Sequence, residues 1–191
     1  MKNKIFKKVL KKLKKQIKNT SKKNKRLIIC FVGIPCSGKT YLAKKIEKKY
    51  KGIRINNDNI RKIIDAKITK RKEEGEVILK QFLLKLLKNY PFNNKLVILD
   101  SGIERKYKDI HKISKSKKWK MFIIRIITSK KLIIKRIKAK DRKRFENHPE
   151  DIQRWFCEYE DFNKKILSDF LFKKDSDLKD LFSKLDYILT K

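Results

Sequence analysis

The residues Gly33-Ile34-Pro35-Cys36-Ser37-Gly38-Lys39-Thr40 fit the pattern G-x-x-x-x-G-K-[ST]. Gly33 and Gly38 permit backbone angles that other residues resist. The N–H groups of the loop can then converge on phosphate oxygens at the N-terminus of the following helix. Lys39 is expected to reach the β- and γ-phosphates of ATP, and the Thr40 hydroxyl to hold Mg²⁺. The whole run 33–40 is therefore the candidate nucleotide site. Two later carboxylates, Asp58 and Asp100, complement it. Beside Mg·ATP, one acid can orient the metal or its waters, and the other can take the proton of an attacking hydroxyl. Taken alone, Asp58 also suits a helix N-cap, and Asp100 suits an ordinary turn after a strand.

The elements around these residues give the pattern its meaning. Leu27 to Val32 is an apolar, partly β-branched run, the signature of a strand buried on both faces. Leu42, Ile46 and Tyr50 then recur on one face of a helix that Gly52 is expected to end. A strand before the loop and a helix after it are the context in which the motif binds phosphate. Ile53 to Ile55 makes a short second strand, and Asn56-Asn57-Asp58 opens a helix with Ile60, Ile63 and Ile64 inward. Val77, Ile78, Phe82, Leu83, Leu86, Leu87 and Tyr90 follow at helical spacing, closing before Pro91. Leu96 to Leu99 is a third strand, ending at Asp100. A helix near 105–117, a strand at 121–127 and a helical stretch at Leu132 to Ile137 come next. Pro149 fits the first turn of a helix with Ile152, Trp155, Tyr159, Phe162 and Ile166 inside. A short strand near 169–172 precedes a final helix capped by Asp177. Strands alternating with helices predict an α/β fold, with a parallel sheet of about five strands covered on both faces. In such a sheet, ligands sit beyond the carboxyl ends of the strands, where the loop, Asp58 and Asp100 converge.

With 191 residues the chain has length for one domain and a real core. Lys+Arg number 56 against 21 Asp+Glu, a net charge of +35, and only 10 of those cations are Arg. Such a field attracts nucleic acid and anionic membranes. A Lys-, Asn- and Ile-rich composition is also what an AT-rich coding sequence supplies, so the charge has two readings. Residues 1–25 hold 12 Lys and no acid, with Ile5, Phe6, Val9, Leu10, Leu13 and Ile17 at helical spacing. They read as a basic amphipathic helix and linker ahead of a domain at 26–191. Docking of that helix on the domain, or on a partner, is favoured over peripheral membrane contact, because its apolar face carries few bulky aromatics. The three cysteines show neither metal spacing nor C-x-x-C. A reducing cytoplasm is the expected setting. No apolar run approaches a membrane span, and the first residues lack the apolar core of a secretory signal.

Two further stretches carry a family resemblance. Ile55-Asn56-Asn57-Asp58-Asn59-Ile60-Arg61 resembles the acceptor-site motif of P-loop kinases related to polynucleotide 5′-kinases and zeta-toxin-like kinases. The loop GIPCSGKT is similar to that group's phosphate loop, and Leu96 to Ser101 resembles its later strand and acid. The resemblance covers about 27–165 and implies a three-layer P-loop kinase sandwich. By it, Asp58 matches the general base that deprotonates the acceptor hydroxyl. Arg61 matches the residue that holds an anion on the acceptor. Asp100 matches the later acid, which would face the acceptor and share the metal with Thr40. The stretch after Arg136 resembles an Arg-bearing lid, expected near 136–148, with Arg136 and Arg142 as its catalytic cations.

The chain also departs from that group. Cys36 stands where Gly is common, and Gly102 follows Ser101 where Asn is common. Lys140 takes the second lid position in an ungapped reading, which leaves Arg142 or Arg144 as the lid arginine. Lysine neutralises charge there but lacks the bidentate fork. Adenylylsulfate kinases share an Asp-Asn-[IV]-Arg run, although Arg71–Glu76 does not look like theirs. The expected activity is ATP-dependent phosphoryl transfer to a hydroxyl, with a polynucleotide 5′-hydroxyl as first acceptor. A nucleotide-sugar, adenylylsulfate or antibiotic acceptor is the alternative. A nucleotide-dependent nucleic-acid-binding module with little transfer is the reading from another class.

Overall fold

Leu27–Val32 (β1) is buried at all six positions, as a strand with neighbours on both sides and layers on both faces must be. In the computed structural model, which describes residues 10–11, 26–65, 72–89, 92, 96–140, 146 and 149–190, β1 lies at the centre of a five-stranded sheet. Its neighbours are β3 (Val97–Gly102) and β4 (Lys120–Ile126), with β2 (Ile53–Asn56) and β5 (Phe170–Phe172) at the edges. The order is β2-β3-β1-β4-β5, and every pairing is parallel. This is the parallel five-stranded α/β sheet that the alternating pattern predicts, in the order that the family resemblance implies.

Side chains of β1 alternate between two cores. Ile28, Cys30 and Val32 join a cluster with Leu79, Leu83 and Leu86 of α3 (Lys72–Asn89) and Ile110 and Ile113 of α4 (Tyr107–Ser116). Leu27, Ile29 and Phe31 meet Leu42, Ala43 and Ile46 of α1 (Lys39–Tyr50) and Leu181 and Leu185 of α7 (Leu178–Thr190). A third, smaller cluster joins Ile34 of the loop to Ile133 and Ile137 of α5 (Lys130–Lys140) and Ile152 of α6 (Pro149–Lys165). The last helix but one thus starts at Pro149, where the fixed φ of proline suits a first turn. Among the described residues, no helix is long and apolar enough to cross a membrane.

Several boundaries differ from the expected ones. The end of α1 is set by Lys51, not Gly52: Lys51 takes the left-handed conformation (φ 50°), and its N–H donates to the Glu47 carbonyl at 2.9 Å. β3 runs two residues past Asp100, because Phe31 pairs with Gly102 across a register shift and the Ile103 N–H donates to the Phe31 carbonyl at 3.1 Å. A one-turn 3-10 helix, Glu104–Lys106, then precedes α4. Asp177 does not cap α7. Its Oδ2 reaches back to the N–H groups of Lys173 and Lys174 at 2.7 and 3.1 Å, closing the preceding turn. Val77 lies on the exposed side of α3. Of the expected basic N-terminal helix, only Leu10 and Lys11 are described; both are helical, and Leu10 packs on the first core cluster. Tyr90, Pro91 and the side chains of Ile63 and Ile64 lie outside the described residues.

Candidate active site

The phosphate loop follows β1 directly. A turn closes it, with the Ser37 N–H donating to the Ile34 carbonyl at 3.0 Å. Gly38 has φ 114°, a conformation that L side chains resist. Gly33 is needed for a different reason. A Cβ on it would stand 2.7 Å from the Ser37 Oγ, inside contact distance. Cys36 has φ 67°, so the position where relatives of this loop often carry Gly does demand the left-handed region here.

Lys39 begins α1, and its ammonium folds back over the loop, donating to the carbonyls of Gly33 at 2.6 Å and Ile34 at 2.8 Å. Burial lowers its pKa, and Glu104, Cys36, Asp100 and Asp58 oppose that shift. Both acids anticipated from the sequence therefore lie in the field of this one ammonium.

Thr40 and Asp100 are brought together across the α1 and β3 ends, the Thr40 hydroxyl donating to Asp100 Oδ1 at 2.8 Å. Asp100 Oδ2 accepts from Arg54 Nη1 at 2.7 Å and from the Asn56 amide. Its side chain is only 1% exposed, so this set of donors is what lets a carboxylate stay there. Arg54 also donates from Nε to Glu47 of α1 at 2.6 Å. Burial alone would lower the Arg54 pKa, but its hydrogen bonds to Glu47 and Asp100 outweigh it and raise the value. A hydroxyl beside a carboxylate is a hard-oxygen donor pair that suits Mg²⁺, which takes most of its remaining ligands from phosphates and water. Thr40 and Asp100 thus fit the ion expected of them.

On the other side of the loop, α2 (Asn57–Asp65) opens at the end of β2. Its cap is Asn56, whose Oδ1 accepts from the Asn59 N–H at 2.8 Å. Asp58 is therefore released from the capping role that its sequence position also allowed. Its exposed carboxylate accepts from Arg61 Nη1 at 2.8 Å, and Arg61 Nη2 donates to Glu76 of α3 at 2.6 Å. Arg136 of α5 is the one candidate lid residue with a contact to the loop among the described residues, through Nη1 to the Cys36 carbonyl at 3.2 Å and the Ser37 carbonyl at 3.4 Å. The Ser37 carbonyl also accepts from Thr128 at 3.0 Å. Lys140 is exposed in the last turn of α5, and Arg142 and Arg144 lie outside the described residues.

A family model described as AAA domain matches residues 28–157, from β1 into α6. The chain belongs to that family. Within this AAA domain fall the whole loop, Asp58, Arg61, Asp100 and Arg136. The domain also superposes on solved structures. A structure from the PezAT chromosomal toxin–antitoxin system of Streptococcus pneumoniae matches at TM-score 0.65 and 16% identity, over 90% of this chain and 78% of that one. The APS kinase CysC of Mycobacterium tuberculosis, in complex with AMPPNP and APS, matches at 0.59 and 16%, over 88% and 99%. The shikimate kinase of Aquifex aeolicus matches at 0.56 and 17%, over 85% and 96%. Likeness at these identities shows the fold. No curated protein matches the chain in sequence.

Two residues at the site escaped the motif reading. Arg54 could have been noticed as a charge alternating with Ile53 and Ile55, on the strand face turned to α1. Glu104, whose Oε1 accepts from the Gly33 N–H at 2.8 Å, sits where the sequence predicted only the start of a helix. Nothing in its local pattern marks it.

Proposed function

We propose that this AAA domain transfers the γ-phosphate of ATP to a hydroxyl acceptor that carries an anionic group, with a polynucleotide 5′-hydroxyl as the leading acceptor. The observation that supports it is the gathering of Lys39, the Thr40–Asp100 pair and the Asp58–Arg61 pair at one end of the sheet. Mg²⁺, held by Thr40 beside Asp100, supplies charge neutralisation on the phosphates when bound. Lys39 turns from the loop carbonyls to phosphate oxygens, and Arg136, already against the loop backbone, adds a second cation. Asp58 accepts the proton of the acceptor hydroxyl, and Arg61 steadies the acceptor's anion. Because catalysis of this transfer consists mainly of positioning and charge stabilisation, these groups are sufficient in kind.

A small anionic acceptor is the second reading, favoured by the fold's likeness to a structure holding AMPPNP and APS and to shikimate kinases. Labelled ATP offered with 5′-hydroxyl oligonucleotides and small hydroxylated anions tests both. Label is expected on one of the acceptors, and Lys39→Ala should abolish the transfer while circular dichroism shows the fold intact. Release of free phosphate alone, with every acceptor unlabelled, would point instead to a nucleotide-dependent binding module. Full turnover by Lys39→Ala would remove the loop from the mechanism.

A further inference from the structure

We propose that Glu104 is a second proton acceptor at the nucleotide site and gives this AAA domain a further activity, hydrolysis of ATP by water when no acceptor hydroxyl is bound. The assignment rests on the reading of the loop as an ATP site, with Asp58 as the base for the acceptor.

Both oxygens of this carboxylate are located. Oε1 accepts from the N–H of Gly33, the first residue of the phosphate loop, at 2.8 Å. Oε2 lies over Gly102, where a Cβ would collide with it. The glycine at 102, one of the departures from the kinases this stretch resembles, is what leaves room for the carboxylate. The backbone that carries Glu104 is fastened on either side. Ile103 donates its N–H to the Phe31 carbonyl at 3.1 Å, and the Lys106 N–H closes the turn on the Ile103 carbonyl at 2.7 Å. Arg105 meets Glu158 of α6 in two hydrogen bonds of 2.8 and 2.6 Å. Lys39, assigned above to the β- and γ-phosphates, donates to the carbonyl of the same Gly33 at 2.6 Å. One residue thus carries the ammonium on its C=O and the carboxylate on its N–H. Burial lowers the Lys39 pKa, and Glu104 leads the charges that oppose that shift.

The other two acids in the field of Lys39 are committed to cations, Asp100 to Arg54 and Asp58 to Arg61. Glu104 pairs with no cation among the described residues, and its Oε2 accepts no hydrogen bond from them. An unpaired carboxylate beside a phosphate cradle opposes anion binding, so its place there calls for a use. It is partly exposed and has a free oxygen, which suits it to take a proton from water. Water needs none of the contacts that Arg61 offers an acceptor, so it can attack while the acceptor side is empty. In that step the water oxygen bonds to the γ-phosphorus, and one water proton passes to Glu104 Oε2. The bond between the γ-phosphorus and the β–γ bridging oxygen breaks, and its electron pair leaves on ADP. Inorganic phosphate and ADP depart, and Glu104 returns its proton to solvent.

The test uses the full-length protein and labelled ATP. Without acceptor, the native protein should release phosphate, and Glu104→Gln should slow that release roughly 10²- to 10⁴-fold. With a 5′-hydroxyl oligonucleotide present, the second readout is the ratio of free phosphate to phosphorylated acceptor, in which any general loss of ATP binding cancels. Glu104→Gln should lower that ratio and Asp58→Asn should raise it, each by about tenfold or more. Gly102→Ala should act like Glu104→Gln, because the nearest atoms its methyl group meets are those of the Glu104 carboxylate. Calorimetry with a non-hydrolysable ATP analogue supplies a readout free of turnover. Glu104→Gln should bind it roughly 3- to 10-fold more tightly, since a like charge leaves the cradle. No phosphate release by the native protein without acceptor, or release unchanged in Glu104→Gln and Gly102→Ala, would overturn the assignment. Weaker analogue binding by Glu104→Gln would also overturn it, making the carboxylate a strut of the loop. Hydrolysis that depends on Glu104 while no acceptor takes label removes the kinase reading but leaves Glu104 in its role. Transfer with a ratio indifferent to Glu104 does the opposite.

Discussion

Asp58 and Arg61 share a hydrogen bond of 2.8 Å, yet their substitutions should fail in different ways. Asp58→Asn keeps the shape and removes the proposed base, so kcat should fall roughly 10²- to 10⁴-fold with ATP affinity nearly unchanged. The cap of α2 belongs to Asn56, so this substitution leaves the helix start untouched. Arg61→Gln should instead raise the acceptor KM, and the defect should shrink for an acceptor stripped of its anion. A defect equally severe with every acceptor would mean that Arg61 serves only to hold Asp58. Stability should barely register either change, because both side chains are substantially exposed and pairs of that kind contribute about 0–1 kcal/mol. Cys36 poses a different question. Its φ of 67° costs an L residue roughly 1–2 kcal/mol. Cys36→Gly should therefore leave the denaturation midpoint unchanged or higher, while the β-branched Cys36→Val should lower it. A Val variant as stable as the Gly variant would show that the loop does not hold residue 36 in the left-handed region.

At the scale of elements, the site depends on how β2, β3 and α1 are fastened beneath it. Arg54 is the fastening: it joins Glu47 of α1 to Asp100 of β3 from the edge strand β2. Its own side chain is 14% exposed and that of Asp100 is 1% exposed. Removing the cation leaves a buried carboxylate with Thr40 and Asn56 alone. Arg54→Met should then destabilise the protein by about 3–5 kcal/mol, measured by urea denaturation, against almost no loss for Arg61→Gln. A loss below about 1 kcal/mol would place Asp100 in a wetter environment than its burial indicates. This fastening also marks where sequence reading reaches its limit. Strands and helices were legible because burial imposes period 2 or 3.6 on apolar residues, and β1, α1 and α6 stand where the pattern put them. The loop was legible because its glycines and Lys-Thr pair have few other uses in that context. Arg54 and Glu104 were not, since a charge recruited by tertiary neighbours leaves no local period behind. The caps failed for the same reason. Lys51, Asn56 and Asp177 took roles set by which carbonyl or N–H stood nearest, and residue type narrows that choice without fixing it.

For the molecule as a whole, the open question is whether the field of +35 does anything beyond the site. The cations concentrate unevenly, since residues 1–25 carry 12 of them with no acid, so deleting that segment leaves +23 on the rest. Leu10 packs against the core cluster that α3 and α4 share with the sheet. Docking of the segment would not exclude binding, because a basic helix seated by its apolar face would still present its lysines outward. The two contributions separate under salt. Each phosphate contact made by a lysine releases counterions and steepens the fall of log affinity with log salt by about one. If the segment grips a polyanion, its deletion should weaken binding of a 5′-hydroxyl oligonucleotide at low salt and flatten that slope by several. Turnover on a saturating short acceptor should persist, because no residue placed at the site lies within 1–25. If the slope is unchanged while the denaturation midpoint drops, the lysines are a solvated face and the segment serves only the core. An oligonucleotide affinity that ignores both salt and the deletion would make the charge a property of composition, and would shift the choice of acceptor from nucleic acid toward a small anion.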